Sequence, residues 1–204
     1  VTGNTRRFGA SLDKIKQVVD VRDGEIMFGL NMVVHKGKTI FVGDTSVHEY
    51  PTSEQMAEIA ISTARVVRLF GFDPKVAFVS HSTFGQPLTS RTKHIRNAVD
   101  ILKEKKVDFE FDGDMQPDVA LNPEYEELYP FSKIVGKANI LIMPGQHSAA
   151  ISYKMMKTLG DTKVIGPLLI GLGLPIEIAP LRSSTSELIN LASIAAYSAD
   201  VIDY

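Results

Sequence analysis

The residues best suited to chemistry stand in the stretch IMPGQHSAAISYK, residues 142–154. An apolar run passes through Pro-Gly into polar residues, which is typical of a strand followed by a loop and a helix. His147 and Lys154 are seven residues apart and share one face of that helix, while Ser148 and Tyr153 add hydroxyl groups. Backbone amides at a helix start attract anions, so the pattern indicates a phosphate site. A surface lysine and a hydrogen-bonded histidine would produce the same pattern without any ligand.

A second polar loop follows an apolar run at 75–80 and reads Ser-His-Ser-Thr-Phe-Gly over residues 80–85. Its hydroxyl groups and its glycine suit a phosphate held by backbone amides, which makes Ser82, Thr83 and Gly85 the candidate ligands. The alternative is that serine and threonine form a turn here and cap the following helix.

Other kinds of site have less support. The five histidines show no pair at the spacing of helical metal ligands, and the acidic residues of 108–118 alternate as on a solvated strand face. The sequence contains no nucleophile elbow, no Walker loop and no dinucleotide fingerprint. The absence of cysteine excludes disulfides, thiolate nucleophiles and Cys-ligated zinc. The residues by themselves therefore predict an anion-binding domain and no particular reaction.

The composition limits the possible size of the core and the possible classes of function. A chain of 204 residues with 44% hydrophobic residues can bury one large core or two small lobes. Its formal charge of -2 offers no basic stripe for nucleic acid, and no apolar run approaches the roughly 20 residues of a membrane helix. Lack of cysteine fits the reducing cytoplasm, where we expect the protein. Because the chain opens on Val1 without an initiating Met, we expect a fragment of a longer protein.

Apolar spacing alternates between periods of two and 3.6 residues along the chain. It predicts helices at 11–19, 52–72, 90–105, 124–129, 147–159 and 184–199. It predicts strands at 75–80, 108–112, 138–143, 162–170 and 176–179, and a hairpin over 26–45 that turns at Lys36-Gly37-Lys38. A capping box of Thr52 and Gln55 begins the second helix, and Gly71 ends it.

This alternation predicts an α/β fold with a mainly parallel central sheet and flanking helices. Ligands of such folds bind at the carboxyl edge of the sheet, where strands pass into helices. Both polar loops, 80–87 and 144–148, are expected at that edge.

Three longer motifs resemble the phosphate acetyltransferase family: DGDMQPDVALNP (112–123), VGKANILIMPGQHSAAISYK (135–154) and VIGPLLIGLGLPIEI (164–178). Two more, FGLNMVVHKGKTIFVGDTSVHEYPT (28–52) and NPEYEELYPFS (122–132), resemble a narrower group, the C-terminal phosphate-acetyltransferase-like domain of large NADP-dependent malic enzymes. The likeness covers nearly the whole chain.

The resemblance implies a two-lobed fold similar to isocitrate dehydrogenase. Residues 1–183 would form one lobe, and residues 184–204 a terminal helix that returns to a first lobe upstream. Acetyl-CoA would bind between lobes or subunits, and the subunits would pair as a dimer through this lobe. NADP and a divalent metal would be bound in the missing upstream part, with no cofactor or metal here. The ligand-binding residues implied are Ser82, Thr83, Gly85, His147, Ser148, Tyr153, Lys154 and Arg182.

The chain departs from the catalytic pattern of that family in its cationic and polar positions. Where catalytic members carry Ser-Thr-Lys-Gly, Phe84 replaces the lysine, and Ala150 replaces an asparagine four residues before Lys154. An ungapped match places Pro180 and Leu181 at a Ser-Arg pair.

Two interpretations stay open for each of two residues near the end of the chain. Glu187 stands at the place of the acidic residue that follows this pair, although it also closes a capping box with Ser184. Arg182 restores the missing arginine only through a shift of one residue.

Three functions follow from this pattern. The leading hypothesis is a catalytically inactive regulatory domain of a malic enzyme, which binds acetyl-CoA as an allosteric inhibitor and supports oligomerisation. The alternative is an active phosphate acetyltransferase that uses Arg182, Lys154 and Glu187. A third is a purely structural role between malic-enzyme subunits. We expect the hairpin at 26–45 to expose an apolar run that forms the dimer contact.

Overall fold

The structure is a computed structural model, and it describes residues 1–201. The helices are α1 (Phe8–Ile15), α2 (Ser53–Leu69), α3 (Ser90–Lys105), α4 (Pro117–Leu121), α5 (Gln146–Leu159) and α6 (Thr185–Val201). The strands are β1 (Thr2–Gly3), β2 (Phe28–His35), β3 (Lys38–Gly43), β4 (Lys75–Val79), β5 (Glu110–Met115), β6 (Ile140–Ile142), β7 (Thr162–Ile170) and β8 (Ile178–Ala179). A short 3₁₀ helix spans Pro123–Leu128.

The main sheet contains six strands in the order β5-β4-β6-β3-β2-β7. The strands β5, β4, β6 and β3 run parallel, whereas β2 is antiparallel to both β3 and β7. β1 and β8 form a separate parallel pair. The predicted α/β fold with a mainly parallel sheet is therefore confirmed.

Helices cover both faces of this sheet. One face packs against α2, α3 and α6, in a core that includes Phe41, Phe78 and Ile59. The other face packs against α4 and α5, around residues such as Val79 and Met115. Side chains that follow one another along a strand point to opposite faces, so consecutive residues such as Phe78 and Val79 belong to different cores.

The hairpin forms as predicted, with Lys36 and Gly37 at φ values of 46° and 78° in its turn. Its predicted exposure is wrong, because the two strands lie inside the sheet. β3 pairs with β6 on the side away from β2, and β2 pairs with β7 on the side away from β3. Phe28, Leu30 and Phe41 are all fully buried. The hairpin cannot supply an apolar dimer surface.

The ends of several elements differ from the prediction. α1 begins three residues earlier than expected and stops at Ile15. β5 continues to Met115, which is three residues past the predicted end. The single helix expected at 124–129 is replaced by α4 and the 3₁₀ helix, and each has a proline in its first turn, where no amide donor is required.

The second helix has the predicted caps. The Thr52 amide donates to Gln55 Oε1 at 2.8 Å, and the Gln55 amide donates to Thr52 Oγ1 at 3.2 Å. Gly71 follows the helix with φ 82°, a backbone conformation that favours glycine.

The terminal helix α6 packs beside β7 and β8 along one side only. Tyr197 Oη donates to the Leu69 carbonyl at 3.1 Å and its ring stacks on Phe70, while Ile189 is largely exposed. The predicted terminal segment 184–204 includes residues 202–204, which lie outside the described residues. Its return to a first lobe stays a prediction. Among residues 1–201, no helix is long and apolar enough to cross a membrane.

Candidate functional site

Both polar loops lie at the carboxyl edge of the sheet, because β4 and β6 are parallel neighbours. The loop at 80–87 follows β4, and the segment 144–148 leads from β6 into α5. The sequence therefore placed both loops correctly, at the edge where α/β folds bind ligands.

Two donors of the 80–87 loop are already engaged by a carboxylate of the protein. Ser82 Oγ donates to Asp114 Oδ2, and the Gly85 amide donates to Asp114 Oδ1 at 3.0 Å. The Phe84 amide donates to the Asp114 backbone carbonyl at 2.6 Å. Thr83 Oγ1 accepts from the Gln116 amide at 3.2 Å. An external anion that used the Ser82 hydroxyl or the Gly85 amide would have to displace Asp114.

Asp114 is the residue that the sequence reasoning missed. The acidic residues of 108–118 were expected on a solvated face, yet Asp114 is fully buried at the end of β5. A sequence signal was present in Gly113, where an added Cβ would lie 2.7 Å from Phe78 Cβ. A glycine within a strand often marks such a close approach of neighbouring chain.

The segment 144–148 is also tied to the protein. The Gln146 amide donates to the Glu49 carbonyl at 3.2 Å, and Ser148 Oγ donates to the Gly145 carbonyl at 2.8 Å. The exposed His147 ring stacks on Tyr50 with 6.5 Å between centroids. His147 and Ser148 thus lie beside the β3–α2 connection.

Tyr153 and Lys154 lie elsewhere, in a cleft of about 170 Å³ between α5 and α6. The cleft runs along the edge strand β7 and includes Pro167 and Pro180. Lys154 Nζ is 5.9 Å from the centroid of the Tyr153 ring, and burial raises the pKa of Tyr153. A second cleft of about 440 Å³ adjoins the first. We call the two clefts the edge trough; the residues that line both are Lys157, Val164, Ile165, Glu187 and Asn190.

Glu187 forms the charged centre of the edge trough. Its Oε1 accepts from Lys157 Nζ at 2.7 Å, and its Oε2 accepts from the Ser184 amide at 2.7 Å and from Ser184 Oγ at 2.9 Å. The Glu187 amide donates back to Ser184 Oγ at 3.3 Å, so the predicted capping box of α6 is present. The hydrogen bond from Lys157, followed by that from Ser184, lowers the pKa of Glu187 to about 2.

The predicted site residues therefore fall into separate groups. Three strands, β6, β3 and β2, separate β4 from β7, which is roughly 19 Å at the usual spacing between strands. Ser82, Thr83 and Gly85 lie near one side of the sheet, while Tyr153 and Lys154 lie in the edge trough at the other. Arg182 is exposed and is not among the residues that line the trough.

The structure defines an α/β domain with a mainly parallel sheet, and comparison with known proteins identifies its family. The pattern of the family described as "Phosphate acetyl/butaryl transferase" matches residues 1–196. The chain belongs to this family.

Relatives fall into two kinds. The chain is 45% identical over 199 residues to an NADP-dependent malic enzyme of Rhizobium meliloti, which covers 98% of this chain and 26% of that protein. It is 32% identical to a phosphate acetyltransferase of Bacillus subtilis, over 90% of this chain and 57% of that protein. The chain thus spans about a quarter of the length of that malic enzyme.

A solved structure supports the fold over nearly the whole chain. A phosphotransacetylase from Streptococcus pyogenes superposes with a TM-score of 0.88 at 28% identity. The match covers 97% of this chain and 61% of that one.

Proposed function

We propose that this domain binds acetyl-CoA without transferring its acetyl group, and that it acts as a regulatory domain of an NADP-dependent malic enzyme. In this role acetyl-CoA inhibits the oxidative decarboxylation of malate to pyruvate. The observation that carries the proposal is the pairing of Glu187 with Lys157 and Ser184. Glu187 stands at the place of the acidic residue in the family's catalytic pattern.

Acetyl transfer to CoA requires a base that removes a thiol proton, and a thiol has a pKa near 8.5. With a pKa of about 2, Glu187 is a very weak base. Its two oxygens are also occupied by Lys157 and by the start of α6. This environment suits a structural carboxylate, and it argues against the alternative in which Glu187 works as a catalytic base.

The other substitutions remove charged or polar groups from the family's catalytic positions. Phe84 stands where catalytic members carry lysine, and its ring packs on Tyr129 and Phe131 with 5.4 and 4.8 Å between centroids. Pro180 lines the trough at the place of a serine. Loss of one donor to a reacting oxyanion costs about 100- to 1,000-fold in rate, so several losses together would leave negligible turnover.

Binding of the CoA body places different demands on the site. The edge trough offers apolar walls from Tyr153, Pro167 and Leu191, and the cationic Lys154. Ligand pockets combine mostly apolar walls with a few charged groups in this way. These features support retained binding and distinguish the proposal from a purely structural role.

The NADP and divalent metal of a malic enzyme would be held outside this chain. Within residues 1–201, no group of three or more His, Asp or Glu side chains is arranged to hold a metal ion. No glycine-rich dinucleotide fingerprint is present in the sequence. The residues here do not fit either group, and no step of the proposed function passes through them.

We also propose that the domain supports oligomerisation, and that it does so through a surface other than the hairpin. α5 exposes Ile151, Met155 and Leu159, which are spaced by four residues and form one apolar stripe. A contact between two such stripes and their surroundings would need to bury at least about 1,000 Å² for a stable dimer. We propose that two copies of the chain pair through α5.

Two measurements on the full-length protein test the proposal. The first is formation of acetyl-CoA from acetyl phosphate and CoA, for which we expect no turnover; a rate of about 1 per second or more would establish the alternative. The second is inhibition of malate turnover by acetyl-CoA. Lys154→Ala should weaken inhibition while uninhibited turnover stays unchanged. The control is Lys103→Ala on α3, which packs on the other face of the sheet from α5.

Two outcomes of the inhibition experiment would contradict the proposal in different ways. Insensitivity of the wild-type enzyme to acetyl-CoA would refute the regulatory function. If Thr83→Ala weakened inhibition and Lys154→Ala did not, the ligand would lie at the 80–87 loop and not in the edge trough.

A further inference from the structure

A cleft at the other end of β7 plays no part in the proposed function. It lies between the last turns of α2 and α6 and the connection from β7 to β8, and its volume is about 220 Å³. We call it the Glu177 cleft. Along α6, eleven residues separate Glu187 of the edge trough from Ser198 of this cleft, which is roughly 17 Å at the usual rise of a helix. The Glu177 cleft is therefore separate from the edge trough.

The walls of the Glu177 cleft are mainly apolar. Val66, Leu169 and Leu172 line it and are buried in the domain. Leu174 and Val201 also line it but are 53% and 41% exposed, so they form its open rim. A concave apolar site with one side open to solvent and a few polar groups inside is the form that small-molecule sites usually take.

Glu177 is the polar group inside this cleft. Its side chain is only 4% exposed, and Oε2 accepts from the Leu169 amide at 3.0 Å. Burial raises the pKa of Glu177 to about 8, so the carboxyl group is mostly protonated at pH 7. A protonated carboxyl group has one O–H donor, and because Glu177 lines the cleft, this donor can serve a ligand there.

The charges at the cleft favour an anion over a cation. Arg22 and Arg65 line it, and no acid other than Glu177 does. Arg65 pairs with Glu25 at 2.5 Å, and Arg22 is engaged as well, so neither guanidinium is counted as a direct ligand. An amine in the cleft would face both arginines, whereas a carboxylate would be attracted by them. A carboxylate would also accept a charge-assisted hydrogen bond from Glu177.

We propose that the Glu177 cleft binds a small monocarboxylate, whose carboxylate accepts a hydrogen bond from Glu177 and whose alkyl chain packs against the apolar walls. A volume of about 220 Å³ is the space of about seven water molecules, which admits an acid of about four to six carbon atoms. Sites for drug-sized ligands begin at roughly 300 Å³, so the body of CoA is too large for this cleft. The inference therefore goes beyond the proposed function and does not depend on it.

The first test is calorimetric titration of the full-length protein at pH 7 with acetate, butyrate and hexanoate. Affinity should rise about fourfold for each added methylene group, because each buries further apolar surface. Hexylamine, with the same chain and a positive charge, should not bind.

Two variants test the place of the ligand. Glu177→Leu should weaken hexanoate binding about 10- to 100-fold through loss of a hydrogen bond to a charged group. Leu174→Glu puts a negative charge at the exposed rim, where folding is not at risk, and should weaken hexanoate binding severalfold. The control is Glu104→Gln, at an exposed acid on α3, which should leave the affinity unchanged.

The pH dependence gives a second readout. With a pKa of about 8, the protonated fraction of Glu177 falls about tenfold between pH 7 and pH 9, and hexanoate affinity of the wild type should fall with it. The charged groups that face Glu177 in the cleft are Arg22 and Arg65, which stay positive over this range. Glu177→Gln keeps an N–H donor that does not titrate, so its affinity should be the same at both pH values.

Contrary results would overturn the site in different ways. Equal affinities for acetate and hexanoate would refute the apolar walls as the binding surface. Hexanoate binding that is unchanged in both Glu177→Leu and Leu174→Glu would place the ligand elsewhere. If the wild type bound no monocarboxylate, the cleft would be filled or closed in the full-length protein and the inference would fail, while binding of acetyl-CoA by the same sample would leave the proposed function intact.

Discussion

Glu177 offers a sharp test of how burial controls charge in this domain. Its side chain is only 4% exposed, and Oε2 accepts from the Leu169 amide at 3.0 Å. Burial raises the pKa of Glu177 to about 8, although the hydrogen bond from the Leu169 amide acts in the opposite direction. Arg22 and Arg65 line the same cleft of about 220 Å³.

The magnitude follows from the difference between the folded and unfolded pKa values. A folded pKa of about 8 against 4.5 is a difference of 3.5, which corresponds to about 5 kcal/mol of unfolding free energy. Because the folded pKa is the higher one, this stability is fully present below pH 4.5 and is lost progressively as the pH rises to 8. Glutamine keeps an acceptor for Leu169 and carries no charge, so Glu177→Gln should not show this loss.

Urea unfolding at a series of pH values from 4.5 to 8 measures the effect. The wild type and Glu177→Gln should have similar unfolding free energies near pH 4.5, and the variant should be more stable at pH 8 by up to about 5 kcal/mol. The control is Glu104→Gln, at an exposed acid on α3. Parallel pH profiles for the wild type and Glu177→Gln would refute the reasoning.

Three further outcomes are expected. Ser82→Ala should lower the unfolding free energy by about 1.5–3 kcal/mol, because buried Asp114 loses a donor; urea unfolding that shows no loss would contradict this contact. Ser184→Ala should cost about 1 kcal/mol through the cap of α6, and a cost equal to that of Ser186→Ala would argue against a specific cap. Ile151→Asp should convert the proposed dimer to a monomer in light scattering at micromolar concentrations, and a monomeric wild type would refute the dimer.

Local signals predicted much of the secondary structure. The predicted range of α3, 90–105, matches Ser90–Lys105, and α2 has the predicted capping box and terminal glycine. These features depend on residues three or four positions apart, whose contacts are made within the helix itself. The long motifs also predicted the family, which the comparisons confirm.

Such local signals do not predict the order of the strands in the sheet. An apolar hairpin has the same alternation at the edge of a sheet as in its interior, and only the pairing of β3 with β6 and of β2 with β7 buries it. Likewise, the acid of Asp114 resembles its solvated neighbours in sequence. It is buried because β5 lies beside β4 and brings the carboxylate beneath the 80–87 loop.

The sequence by itself determined the long helices α2, α3, α5 and α6, the hairpin, the α/β class and the family, since each depends on local periodicity or on motifs written in consecutive residues. The tertiary structure alone decided that the predicted ligand residues separate into the 80–87 loop, which binds Asp114, the 144–148 segment beside the β3–α2 connection, and the distant edge trough. It also decided that Glu187 pairs with Lys157, thirty positions away on another helix. Distances between residues far apart in the chain depend on the order of strands and the docking of helices, which no local pattern specifies.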